Sequence, residues 1–175
     1  DQVETVAGGA TLARTHEYLE EALRWLPDPP ATEPVSEPGL AEVFLPAAGV
    51  SDWLVDTGLP GDIAGLTEMS AAAGGRAHEI VRLEQVAEQA AAGPGDYASA
   101  FRAILHDRAQ TAVATKSVLA YRGGFDGDLS EPSAAAVAGA AARWRDDGAS
   151  RLTDRVLLRF GLHEGEQLVQ NGLTQ

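Results

Sequence analysis

The stretch "AVATKSVLAYRGGFD", residues 112–126, opens with the small and β-branched residues of a buried strand, yet carries Lys116 in its middle. It closes on Tyr121 and Arg122, followed by Gly123 and Gly124. An unpaired charge inside an apolar strand is costly, so a strand over 112–121 requires a partner for Lys116. Two other short apolar runs share the pattern. "SDWLVDTGLPG" (51–61) places Trp53, Leu54 and Val55 before the turn residues Asp56, Thr57 and Gly58. "GGRAHEIVRLEQ" (74–85) places Ile80, Val81 and Leu83 in a strand that ends with Arg82 and Glu84. All three runs finish in polar residues, and the carboxyl ends of parallel strands are where functional side chains collect.

Helical patterns fill the intervals. "TLARTHEYLEEALRWL" (11–26) spaces Leu12, Leu19, Leu23 and Leu26 along one face. "PDPPATEPVSEP" (27–38) has five prolines in twelve residues and reads as a linker. "GLAEVFLPAAGV" (39–50) predicts a short helix ended or kinked by Pro46. Further helices are predicted over 62–73, 85–92, 96–109, 134–147 and 154–170, the last two capped by Ser130 and Thr153. Strands alternating with helices predict an α/β fold with a parallel sheet and the helices outside it. Three strands cannot close a barrel, so the expectation is a slice of a larger α/β protein.

The chain carries 13 basic and 26 acidic residues, a formal charge of −13. Nucleic acid and anionic membrane surfaces select for basic faces, so neither is expected as a partner. There is no cysteine, which excludes disulfides and thiolate metal sites. No apolar run approaches the roughly 20 residues that span a bilayer. The opening "DQVETVAGGATLARTHEYLEE" has neither a signal-peptide pattern nor an initiator methionine. The expectation is a cytoplasmic protein whose sequence begins inside a longer one.

Lys116 is the sharpest candidate for chemistry, with Glu84 on the neighbouring strand as its expected carboxylate partner. Arg82 and Glu84, two apart, are expected on one side of their strand. Arg122, with Tyr121 beside it, is placed to grip a substrate carboxylate bidentately, and Asp56 stands at the end of the first strand. The histidines are His16, His78, His106 and His163. His16 and His106 fall on polar helix faces, His78 starts a strand, and His163 has no second ligand one turn along. No H-x-H, H-E-x-x-H, G-x-S-x-G or phosphate-loop motif occurs.

With these residues in hand, four stretches resemble the amidohydrolase-related (amidohydrolase 2) family, in its nodulin- and FluG-type branch. They are "AAGVSDWLVDTGLPG" (47–61), "HEIVRLEQVAE" (78–88), "KSVLAYRGGFD" (116–126) and "RLTDRVLLRFGLHEGEQLVQNGL" (151–173), in the family's order. The resemblance implies a (β/α)8 TIM barrel holding a divalent metal, zinc foremost, that activates water against an amide, ester or related carbon centre. It makes the three strands the second to fourth of the barrel. Lys116 then lies on the fourth, where some amidohydrolases carry a carbamylated lysine, and Arg82, Glu84 and Arg122 line the mouth.

The family's first-strand H-x-H pair and its later histidine and aspartate ligands have no counterpart here. The resemblance therefore implies an N-terminal helix and linker over 1–38 and a partial barrel over 39–175. Lys116 and Glu84 would be its catalytic residues, and Asp56, Arg82, Tyr121 and Arg122 would bind a small-molecule substrate. The chain alone is expected to bind no metal and to be inactive. Two other functions compete. One is a non-catalytic α/β module that self-associates as a homo-oligomer; the other is a small enzyme using Lys116 as a Schiff-base or proton-transfer group.

Overall fold

The computed structural model describes residues 37–59, 63–148 and 151–172. The helix expected over 11–26 lies outside them, as does the linker except for Glu37 and Pro38, which open the first helix. The chain divides into two compact units, residues 1–52 with 68–76, and residues 53–67 with 77–175.

In the first unit, α1 (Glu37–Ala47) ends one residue after Pro46, as the missing amide of proline predicts. Arg76 forks onto Asp52, Nε to Oδ1 at 2.7 Å and Nη2 to Oδ2 at 2.8 Å. Gly75 is required beside them: a Cβ there would stand 2.8 Å from the Ser51 carbonyl oxygen.

The strands β1 (Asp52–Asp56), β2 (Arg76–Arg82) and β3 (Ala114–Lys116) form a parallel sheet in the order β1-β2-β3. β2 and β3 pair with Ile80 opposite Ala114, Val81 opposite Thr115 and Arg82 opposite Lys116. The helix α2 (Leu66–Ala73) falls between β1 and β2 in sequence, starting four residues later than expected.

Side chains alternate across a strand, and this sheet uses both faces differently. Val81 points to the helix layer and is fully buried among it. Arg82, one residue on, points to the opposite face with its register partner Lys116.

The helix layer of the second unit contains α3 (Leu83–Ala92), α4 (Tyr97–Ala109), α6 (Ala134–Asp146) and α7 (Arg155–Gln170), with the single turn α5 (Leu119–Arg122) after β3. α3 buries Leu83, Val86, Ala87 and Ala90, a helical i, i+3, i+4, i+7 stripe. α6 buries Val137, Ala140, Ala141 and Trp144 at the same spacing. Phe101 of α4 meets Phe160 of α7 edge-on at 5.2 Å, and Tyr97 meets Trp144 edge-on at 6.5 Å, the geometry that ring quadrupoles favour.

Three expectations of local structure are corrected. The strand over 112–121 shrinks to Ala114–Lys116, because Glu84 bonds the backbone at Val118 and turns the chain into α5. The strand carrying Ile80 ends at Arg82, and Glu84 belongs to the first turn of α3. The caps of the last two helices are Ser133, which accepts from the Ala136 amide, and Asp154, which accepts from the Val156 and Leu157 amides. Ser130 and Thr153 are displaced by residues that stand directly before the first helical turn, where a side-chain oxygen reaches its free amides.

Candidate functional site

The last residue of each strand is Asp56, Arg82 or Lys116, and the three side chains meet at the carboxyl end of the sheet. Arg82 on the central strand donates from Nε to both Asp56 oxygens, at 3.2 Å to Oδ1 and 2.9 Å to Oδ2. Its Nη2 stands 2.5 Å from Oδ2. Lys116 Nζ reaches the same Oδ2 at 2.9 Å from the far side of Arg82. The Gly58 amide donates to Oδ1 at 2.8 Å, closing an Asx-type turn after β1. Gly58 has to be glycine, since a Cβ there would lie 2.6 Å from Arg82 Cβ.

Burial pushes the Asp56 carboxyl up, but its bonds to Arg82, Lys116 and the Gly58 amide outweigh burial and bring it down to about 2. Asp56 is thus ionised and coordinatively saturated. The side chains of Arg82 and Asp56 are only 12% and 13% exposed, whereas Lys116 is 44% exposed. The arrangement is a carboxylate held between two cations, with the lysine as its solvent-facing member.

On the opposite face of the sheet, a second network joins the turn after β1 to the middle of β2. Thr57 Oγ1 donates to Glu79 Oε1 at 2.7 Å, and Arg108 Nη2 bonds both Thr57 Oγ1, at 2.9 Å, and Glu79 Oε1. Arg108 Nη1 also reaches Gln85 Oε1. Burial raises the Glu79 carboxyl, but Thr57 and Arg108 together hold it below its ordinary range. Arg108 ties the end of α4 to Thr57 just after β1, to Glu79 in the middle of β2 and to Gln85 in α3, a role that no local pattern in its own helix announces.

The expected Lys116–Glu84 pair does not form. Glu84, 2% exposed, accepts instead from Ser117 Oγ at 2.6 Å and from the Val118 amide at 2.9 Å. Ser117 Oγ in turn accepts from the Leu119 amide at 3.0 Å. Glu84 therefore fixes the turn immediately after Lys116, while its Oε2 is buried with no hydrogen-bond partner among the described residues.

Arg122 is placed away from the strand ends. Its side chain is 10% exposed, and Nη1 bonds Glu88 Oε1 at 2.8 Å and the Leu152 carbonyl at 3.1 Å. Arg122 therefore clamps α3 to the segment before α7. Tyr121 is 86% exposed. His163 Nε2 lies 2.9 Å from the Leu129 carbonyl, and His106 is exposed.

No group of three or more His, Asp or Glu side chains among the described residues is arranged to hold a metal ion. Asp56 has both oxygens taken by cations and an amide, and the excess charge beside it is positive. The strand-end residues present here do not fit a divalent cation. No helix among the described residues is long and apolar enough to cross a membrane.

No protein-family model matches this chain, and no curated protein matches it. Among solved structures, it is similar to one from Lactobacillus casei, provisionally assigned as a metal-dependent hydrolase. The two share 28% identity with a TM-score of 0.60, over 73% of this chain and 36% of the other. This chain thus spans about a third of the length of that neighbour, and the likeness supports a hydrolase-like α/β fold.

Proposed function

We propose that the chain is a section of a (β/α)8 hydrolase of the amidohydrolase-related family, acting on an amide, ester or related carbon centre of a small molecule. The observation that carries this reading is the convergence of Asp56, Arg82 and Lys116 from three successive parallel strands. In barrels of this class the carboxyl ends of the strands form the active-site face. The helix layer lies on the Val81 face, which corresponds to the outside of a barrel, and the Arg82 face corresponds to its interior. The hydrolase-like neighbour, nearly three times the length matched, is in keeping with a section.

In this reading Lys116 and Arg82 face the substrate, Asp56 sets their positions, and Glu84 holds the turn behind Lys116. The grip on substrate first expected of Arg122 passes to Arg82 and Lys116, because Arg122 is enclosed by Glu88 and Leu152. A divalent metal would have to be held by residues outside those described here.

The test is turnover. Across a panel of small amides and esters with added zinc, the 175-residue chain alone should give no metal-dependent hydrolysis. Produced together with the sequence that flanks it, it should hydrolyse a member of the panel and lose that activity in Lys116→Met. Metal-dependent turnover by residues 1–175 alone, or activity indifferent to Lys116, would refute the reading.

A second reading, a self-associating binding module, is favoured by Leu54, a strand residue on the Arg82 face that is 60% exposed. Parallel sheets are ordinarily covered on both faces. Light scattering separates the two: a discrete, stable oligomer supports the module, and a monomer supports the section.

A further inference from the structure

We infer that Arg82 and Lys116 form a receptor for a small-molecule carboxylate, with Asp56 as the internal tether that keeps both cations in place. This inference deepens the proposed function and rests on the same strand-end cluster, but it concerns binding and requires no turnover.

The first ground is charge. Asp56 neutralises one of the two cations, so the cluster retains one formal positive charge in a chain whose net charge is −13. Neither neighbouring carboxylate is hydrogen-bonded to these cations. Glu79 is paired with Arg108 on the opposite face of the sheet, and the bonds of Glu84 go to Ser117 and the Val118 amide. A singly charged anion set against Lys116 and Arg82 would balance the retained charge.

The second ground is donor capacity. An ammonium has three N–H donors, and Lys116 uses one on Asp56. Arg82 spends Nε and Nη2 on Asp56, and its Nη1 makes no hydrogen bond among the described residues. The groups not engaged by Asp56 belong to both cations, which is the donor set that an oxyanion requires.

The third ground is access. Arg82 and Asp56 are almost enclosed, while Lys116 is 44% exposed. An incoming anion meets the lysine first, with the guanidinium behind it shielded from solvent, where screening is weaker and charge-assisted bonds are stronger. The single excess charge selects a monoanionic carboxylate over the more highly charged phosphate, which would leave negative charge unbalanced.

The experiment is an NMR titration of the intact chain with benzoate and, separately, with inorganic phosphate, ionic strength being held constant with chloride. Saturable shifts at the Gly58 and Val118 amides are expected with benzoate, and weaker ones with phosphate. Lys116→Met should weaken benzoate binding by about tenfold or more, the loss of a charge-assisted hydrogen bond. Lys116→Arg should retain it, a rescue by charge that a purely structural role for the cluster would not produce.

Lys116→Met is the primary variant because the Lys116 side chain is partly in solvent. Non-saturating shifts, or a benzoate affinity unchanged in Lys116→Met, would overturn the receptor. Phosphate binding more tightly than benzoate would overturn the carboxylate assignment. Hydrolysis without benzoate binding would defeat this inference alone, and benzoate binding without hydrolysis would leave it standing while the proposed function fails.

Discussion

Arg145 on α6 shows how much of this molecule rests on single guanidinium groups. It donates to the carbonyls of Ala90 at 3.1 Å, Ala91 at 3.0 Å, Gly93 at 3.2 Å and Gly95 at 2.9 Å. Those carbonyls belong to the last turn of α3 and the loop after it, where a helix leaves its acceptors unsatisfied and its dipole is negative. Arg145→Met keeps most of the aliphatic stem and removes every donor. It should lower stability by about 2–3 kcal/mol, read as a reduced urea midpoint with an unchanged slope. A midpoint within error of the wild type would show that solvent replaces the clamp. Nothing near Arg145 in the sequence announces this role, because its acceptors are backbone atoms some fifty residues earlier. Asp56 and Arg82 were legible, each being a polar residue at the end of an apolar run. The partner of Lys116 was not. Glu84 looks like a strand residue until Leu83 is seen to start a helix without an intervening loop.

Among the elements, α7 carries two glycines one turn apart on its buried stripe, and they differ in what an added Cβ would meet. A Cβ on Gly165 would lie 2.8 Å from Leu83 Cδ1 and 3.1 Å from its Cδ2, in a part of the core where Leu83 is 4% exposed. A Cβ on Gly161 would meet Phe101 at ordinary contact distance, 3.4 Å. Alanine improves helix propensity at both positions by about 1 kcal/mol, but only at Gly165 must it also displace packed atoms. Gly161→Ala should therefore be neutral or stabilising, and Gly165→Ala destabilising by about 1 kcal/mol net of the propensity gain. Thermal unfolding of the two variants checks this; equal melting temperatures would mean that Leu83 has room to move. The α/β alternation and most helix bodies could be read from periodicity. The extent of β3 could not, since what ends it is a hydrogen bond from the Val118 amide to a glutamate in a different element.

For the molecule as a whole, acid should be the most informative perturbant. Asp56 titrates near 2, below its ordinary 3.8, and Glu79 is also held down. A carboxyl depressed in the folded state adds stability that is complete above its unfolded value and disappears as pH falls through the folded one. Stability should thus be flat from neutrality to about pH 5 and should decline between the ordinary carboxyl range and pH 2. Denaturant unfolding at stepped pH measures the decline. In Asp56→Asn the curve should flatten, because one of the protons responsible has been removed from the balance.

Cations from two other strands grip Asp56 at the carboxyl end of the sheet, and the carboxyl's own titration reports that grip directly. Carbon-13 NMR of the Asp56 side chain, followed downward from pH 5, should give a midpoint of about 2 in the wild type. In Lys116→Met the midpoint should rise. A midpoint near the ordinary 3.8, unmoved by loss of Lys116, would contradict the cluster and everything argued from it.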